Sequence, residues 1–426
     1  MSIFFGNIDG IDSNSLFIFR ISSILLLHYI ATYLAPQFAV VSLFLTSLFG
    51  AVTVRNTEMF QSLVRVFRRR LVAANEPETS RKDLLLSIYD ISQYLQKSRK
   101  WNDRKRAKFR RMPTKHQHIC NGIGYPEKLA LTDTLLARNN VTTQRVYREA
   151  MNRYNVTPTE LKQASRYATS IGHSEHFRVV ESLCHLVRDW SSNDDSEVSP
   201  MLDYIRKHSN DLSRENTTVI VPGSGLGRVA HEVALMGFKG VHAVEFSWLM
   251  GLFNESMYGE GKIETGTIYP YLHNYSNHFR TKDQMRSVSF SHGFRKPDNL
   301  VIHKEDFTKF EVEQETKDVL IVTCFFIDTA EDMLEYFDAI TRICDGYEGK
   351  KRWINVGPLK YGTAPKVELS NDEVGKVREA MGWRRIDEVG KPVRVGYMTD
   401  KEGMWQGYYG VSMWVAERGG AKSRRT

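Results

Sequence analysis

Residues 217–221 (Thr-Thr-Val-Ile-Val) have the composition of a buried strand and run directly into Pro222, Gly223, Ser224, Gly225, Leu226, Gly227 and Arg228. No other stretch restricts the fold so tightly. Closely spaced glycines let the backbone turn sharply and approach a ligand, and the helix that follows offers its first amides to a polar or anionic group. The dinucleotide form of this turn is G-x-G-x-x-G, whereas here the pattern is G-x-G-x-G with Arg228 in the last position. That spacing favours S-adenosylmethionine over a nicotinamide cofactor. A strand–turn–helix with purely structural glycines is the alternative, so the neighbouring strands decide.

Those strands carry acids at their ends. A second strand over 241–244 ends at Glu245, where a carboxylate can accept from both hydroxyls of a ribose. A third over 299–303 runs into Glu305, Asp306 and Phe307, an acid suited to an adenine amino group beside a ring that can pack on the base. A fourth over 318–328 is apolar throughout and ends in Asp328. A glycine loop and three acidic strand ends at one edge of a parallel sheet make one crevice. The class is therefore α/β, a Rossmann-like sheet preceded by a helical region: residues 80–190 show apolar positions at three- and four-residue spacing.

Charge divides the chain differently. The net charge is +8, but residues 55–111 hold 16 Lys/Arg against 6 Asp/Glu, and the remainder holds 42 against 44. The basic character belongs to that one segment. Before it, residues 21–54 contain no Asp, Glu, Lys or Arg, roughly 51 Å of helix against a hydrocarbon core of about 30 Å. Pro36 interrupts this run, so a tilted span with an interfacial helix and a shallow hairpin are both open; a buried helical pair is the alternative. Arg55, Arg65, Arg68, Arg69 and Arg70 follow immediately, which places the C-terminal part on the cytosolic side of a membrane. Nucleic acid is not expected, because only Trp101 and Phe109 interleave the basic run as stacking groups. No metal is expected either: Lys115 to Cys120 has ligand-type residues, but on a helix they point to different sides. Four scattered cysteines predict a reducing compartment. The expected organisation is a membrane segment at 1–54, a basic helical segment at 55–111, and helices at 112–200. A catalytic sheet domain at 201–418 and a basic tail at 419–426 complete it.

Several stretches resemble the carnosine N-methyltransferases. They are residues 186–191 (Leu-Val-Arg-Asp-Trp-Ser), 219–228, Glu245-Phe246-Ser247, and Tyr269-Pro270-Tyr271 with Ser276-Asn277. Asp283 to Arg286, Asp306-Phe307, 323–330, 353–359 and Tyr408-Tyr409 continue the set. They run in order over roughly 175–416, and several are longer than a cofactor fingerprint. The resemblance implies a class I methyltransferase fold that transfers a methyl group to an imidazole nitrogen of carnosine or a related histidine dipeptide. Its cofactor residues would be His185, Arg188, Gly223, Gly225, Gly227, Glu245, Asp306, Phe307 and Cys324. Asp328 would be catalytic, binding substrate together with Tyr397 and Tyr409. A homodimer is compatible with this reading.

Two positions depart from the family pattern. His185 stands where the family has glutamine, and Gly362 stands where it has a histidine that contacts substrate. The second departure bears on which acceptor is methylated, so another small peptide or a protein histidine is a rival acceptor. A membrane-tethered, catalytically silent S-adenosylmethionine-binding protein is a rival of a different class. Local alternatives remain as well: Asp328 as a cap for the following helix, the two tyrosines as core aromatics, and Cys324 as a packed neighbour of the cofactor.

Overall fold

The structure, a computed structural model, describes residues 78–192 and 196–419. The uncharged run 21–54, residues 55–77 of the basic segment and the tail from 420 therefore lie outside the described residues. Among the described residues, no helix is long and apolar enough to cross a membrane. Two compact units are present, Met1–Arg81 with Met151–Thr157, and Lys82–Ala150 with Pro158–Thr426. Within the described part of the first, Arg81 donates to the Tyr154 carbonyl at 2.9 Å.

The helical region comprises α1 (Glu78–Ser92), α2 (Tyr94–Arg110), α3 (Thr114–Gly122), α4 (Tyr125–Arg153), α5 (Pro158–Ser170) and α6 (His176–Trp190). Part of the basic face of α2 is engaged inside the second unit, while Arg99, Lys100, Arg104, Lys108 and Arg110 are exposed. Arg106 pairs with Asp103 and Asp133, and Lys105 lies over the rings of Trp101 and Tyr275 at 4.1 and 4.2 Å. Trp101 packs on His273 and Tyr275, and Phe109 on Tyr125, so neither ring stands free as a stacking platform.

After α7 (Ser199–Ser209) the chain enters the sheet with β1 (Thr217–Pro222), then α8 (Arg228–Leu235), β2 (Gly240–Val244) and α9 (Trp248–Glu255). An excursion follows: β3 (Tyr258–Gly259), β4 (Glu264–Ile268), α10 (Thr281–Gln284), β5 (Val288–His292) and β6 (Phe294–Arg295). The sheet resumes with β7 (Leu300–His303), β8 (Asp318–Cys324), α11 (Met333–Asp345) and β9 (Lys351–Gly357). It closes with α12 (Asn371–Ala380), β10 (Trp383–Glu388), β11 (Val393–Gly396) and β12 (Tyr408–Arg418). The strand order is β10-β12-β9-β8-β1-β2-β7, with β11 added to β12. The five strands from β9 to β7 run parallel, and β12 is antiparallel to β9, β10 and β11.

Alternation along the strands builds a core on each face of this sheet. Val219 and Val221 of β1 join Leu320 and Val322 of β8 beneath α7 and α8. Ile220, Val319 and Ile321 face the other way, toward Met333, Phe337 and Ile340 of α11. Strands buried on both faces read as continuous apolar runs, which is why the glycine-loop strand was legible. β8 is shorter than the expected 318–328: it stops at Cys324, because Phe325 turns to φ +52 and Ile327–Thr329 form a 3₁₀ turn. β7 likewise begins one residue late, at Leu300, whose amide turns back to the Pro297 carbonyl, while the Asn299 side chain donates to the Ala234 and Phe238 carbonyls.

Burial also produces a pH-sensitive core in the helical region. His273 Nε2 meets the Tyr94 hydroxyl at 3.1 Å, and Asn139 donates to the same hydroxyl. Burial lowers His273 to about 3 and His176 to about 4, against an ordinary value near 6.5. Above about pH 6.5 both states of the chain carry these imidazoles neutral and nothing is lost. Below it the unfolded chain takes up protons that the folded chain refuses, so stability falls as pH drops toward the folded values. For His273 the expected slope is at most about 1.4 kcal/mol per pH unit. Thermal melts between pH 7 and 5 should show a falling midpoint, and a His273→Gln variant should show a flatter slope; parallel slopes would refute the assignment.

Candidate active site

The reversal of strand order around β1 opens a crevice of about 790 Å³ at the carboxyl ends of the strands. The glycine loop forms its floor. Gly223, Gly225 and Gly227 all have positive φ, at +60, +54 and +82. A Cβ on Gly223 would stand 2.4 Å from Phe326 Cδ2, and one on Gly227 would stand 2.3 Å from Asn254 Oδ1. At Gly225 a Cβ would meet nothing within 4 Å, so that residue fronts open space. Two of these glycines are demanded by packing and the third borders the space a ligand would fill.

Glu245 follows β2 and is tied to the loop. Its Oε2 accepts from the Gly225 amide at 2.8 Å and its Oε1 from the Ser247 amide at 2.9 Å. Burial pushes its carboxyl upward, and amides of Ser247, Gly225 and Phe246 offset part of that shift. Across the crevice Asp306 accepts from the Thr308 amide and hydroxyl through Oδ1, which fixes its orientation after β7. Phe307 is only 4% exposed and meets Phe326 edge-on at 5.5 Å, while Phe246 stands 73% exposed on the rim.

Of the residues expected from sequence, His185, Gly223, Gly225, Glu245, Asp306, Phe307 and Tyr397 line the crevice. Gly227, Arg188, Cys324, Asp328 and Tyr409 are not among its lining residues, although Arg188 and Tyr409 pack on Phe325 and Tyr397, which are. Arg188 of α6 lies 5.3 Å from the ring centre of Phe325 and 4.9 Å from that of Tyr397. Phe325 and Tyr397 stack at 5.0 Å, and Tyr409 meets both edge-on. One guanidinium thus backs an aromatic wall assembled from α6, the end of β8, the end of β11 and the start of β12. Cys324 is raised to about 12 by burial, which keeps it a thiol rather than a nucleophile.

Asp328 is buried in the 3₁₀ turn, between Phe326 and Thr329 of the crevice wall, and accepts from the Lys360 amide through Oδ2 at 2.7 Å. Burial raises its carboxyl above the ordinary value. It does not cap the following helix: Asp332 does, accepting from the Leu334 amide. Gly362 lies in the same β9–α12 connection as Lys360, exposed and with no atom within 4 Å of a would-be Cβ.

Sequence reasoning passed over Phe325, whose left-handed backbone aims its ring at Tyr397, although the residue sits inside the quoted stretch 323–330. It also passed over Tyr336, which stacks on Phe326 at 4.3 Å and 6°. That contact joins α11 to the turn after β8 and has no sequence signal.

The site suits a nucleoside sulfonium with a charged amino-acid tail. Gly225 leaves room for it, Glu245 presents an oriented carboxylate, and the buried Nδ1 of His185, a lining residue, has no hydrogen-bond partner. A bound ligand or water can supply the partner that such a buried polar atom needs.

Comparison with known proteins supplies the family. Residues 168–419 match the family model described as carnosine N-methyltransferase. The chain is 28% identical over 376 residues to the carnosine N-methyltransferase of Schizosaccharomyces pombe, covering 80% of this chain and 96% of that protein. It is 34% identical over 250 residues to an uncharacterized protein of Saccharomyces cerevisiae, covering 55% of this chain and spanning about half (53%) of that protein. Among solved structures it aligns with magnesium protoporphyrin IX methyltransferase from Synechocystis with bound SAH. There the identity is 11% and the TM-score 0.33, over 56% of this chain and 94% of that one.

Proposed function

This chain belongs to the carnosine N-methyltransferase family, and from that premise we propose that its crevice methylates an imidazole nitrogen of carnosine or a related histidine dipeptide. The observation that carries the reading is that Gly225, Glu245 and Tyr397 line one and the same crevice, so cofactor loop and aromatic acceptor wall share a single space. S-adenosylmethionine supplies an already activated methyl group when bound. The residues proposed to hold it are Gly223, Gly225 and Gly227 through the loop, Glu245 at the ribose, and Asp306 with Phe307 at the base. His185, Arg188 and Cys324 complete the set.

The protein then has to align the acceptor and exclude water. The attacking imidazole nitrogen must carry no proton. Asp328, accepting from the other ring N–H, would select that tautomer and steady the positive charge that develops on the ring. Tyr397 and Tyr409 would hold the peptide part, with Phe325 stacked behind Tyr397. The membrane role proposed for residues 21–54 rests on the absence of charge across that run.

Incubating the full-length chain in detergent with labelled S-adenosylmethionine and carnosine tests the reaction. Label on the imidazole ring is the expected result. Binding of S-adenosylmethionine without transfer to any histidine peptide would favour the silent binding protein instead. Exposed Gly362 supports a second reading, a different histidine-containing acceptor, and label appearing only on other histidine peptides would establish it.

A further inference from the structure

The acceptor wall depends on a strap of backbone, and we infer that Glu197 is the positioning residue that holds it. The inference rests on the role of Tyr397 proposed above. Glu197 precedes α7, is 9% exposed and belongs to none of the stretches that carry the family resemblance. Its Oε2 accepts from the Met398 amide and its Oε1 from the Thr399 amide, both at 2.8 Å. These two amides lie immediately after Tyr397, and Met398 stands at φ +52, a conformation that costs a non-glycine residue energy unless its surroundings hold it.

The approach is close. A Cβ on Gly396 would stand 2.7 Å from Glu197 Oε1 and 2.9 Å from Thr399 Oγ1. Thr399 Oγ1 also accepts from the Tyr397 amide at 3.2 Å and donates to the Gly407 carbonyl at 2.5 Å, closing the strap on itself. Farther along, Asp400 pairs with Arg286 and Lys401 reaches Ser196, the residue beside Glu197. The ring of Tyr397 is thereby presented between Phe325 at 5.0 Å and His185 at 5.7 Å. A carboxylate is the side chain for this task, because both its oxygens accept and two adjacent N–H groups need acceptors. In Glu197→Gln one of the two would face an NH₂ group.

The expected result for full-length Glu197→Gln is a KM for the histidine dipeptide raised about tenfold, with kcat changed less than about threefold and S-adenosylmethionine affinity within about twofold. Amides 397–399 should exchange hydrogen faster than in the unsubstituted protein, while amides of β1 and β8 exchange at unchanged rates. Gly396→Ala, which pushes on the same carboxylate, should give the same pattern and serves if the first variant folds poorly. Unchanged exchange at 397–399 would overturn the inference. So would equal losses of acceptor and S-adenosylmethionine binding, which mark a general structural role. Failure of the unsubstituted protein to methylate any histidine peptide would instead strike the proposed function, and the exchange result would still decide the role of Glu197.

Discussion

Replacing Asp328 by asparagine should lower kcat for methyl transfer to carnosine by about a hundredfold to a thousandfold, the usual loss when one oriented group opposing transition-state charge is removed. The substitution is nearly isosteric, and the asparagine oxygen can still accept from the Lys360 amide that Asp328 engages at 2.7 Å. The turn should therefore persist, and S-adenosylmethionine should bind as before. What disappears is the negative charge beside a ring that turns cationic as it is methylated. The pH profile checks the assignment independently. Burial raises the Asp328 carboxyl, so its ionised form is lost at a higher pH than for an exposed aspartate. The free imidazole must also be neutral, which alone turns the rate down below about pH 6.5. The unsubstituted protein should show both acid-side losses, and Asp328→Asn should keep only the one belonging to the imidazole. Unchanged turnover in single-turnover assays would remove Asp328 from the reaction.

Glu245→Ala should weaken S-adenosylmethionine binding by at least about a hundredfold, measured by calorimetry. Two effects combine. Hydrogen bonds from ribose hydroxyls to a carboxylate contribute about 1.5–3 kcal/mol each, and both would be lost. The Gly225 and Ser247 amides would also lose their acceptor, loosening the loop from the end of β2. Glu245→Gln retains one acceptor oxygen and should fall between the two. Equal affinity in all three proteins would exclude Glu245 from the cofactor site.

The fold was legible in the sequence to the extent that local pattern dictates it. β1 and β8 are buried on both faces and read as largely apolar runs, whereas β9 is equally buried but carries Lys351, Arg352 and Asn355 and gives no such signal. The glycine loop was legible for a different reason: positive φ at Gly223, Gly225 and Gly227 leaves few other residue types acceptable there. Asp332, rather than Asp328, caps α11, because the chain takes a 3₁₀ turn before the helix begins and this moves the helix start by several residues. Nothing in the apolar run 318–328 announces that turn.

What the sequence by itself determined is the set of parts: a parallel α/β sheet, a glycine loop that admits a cofactor, and acids at the strand ends. Continuous apolar runs and backbone conformations that only glycine adopts cheaply are local properties, and they survive in a linear string. Which parts meet was decided only by the tertiary structure. Arg188, Phe325, Tyr397 and Tyr409 come from four separate segments and form one wall, with Glu197 holding the strap behind it from 201 residues away. Such contacts depend on sheet order and on one left-handed residue at Phe325, and side-chain identity alone encodes neither.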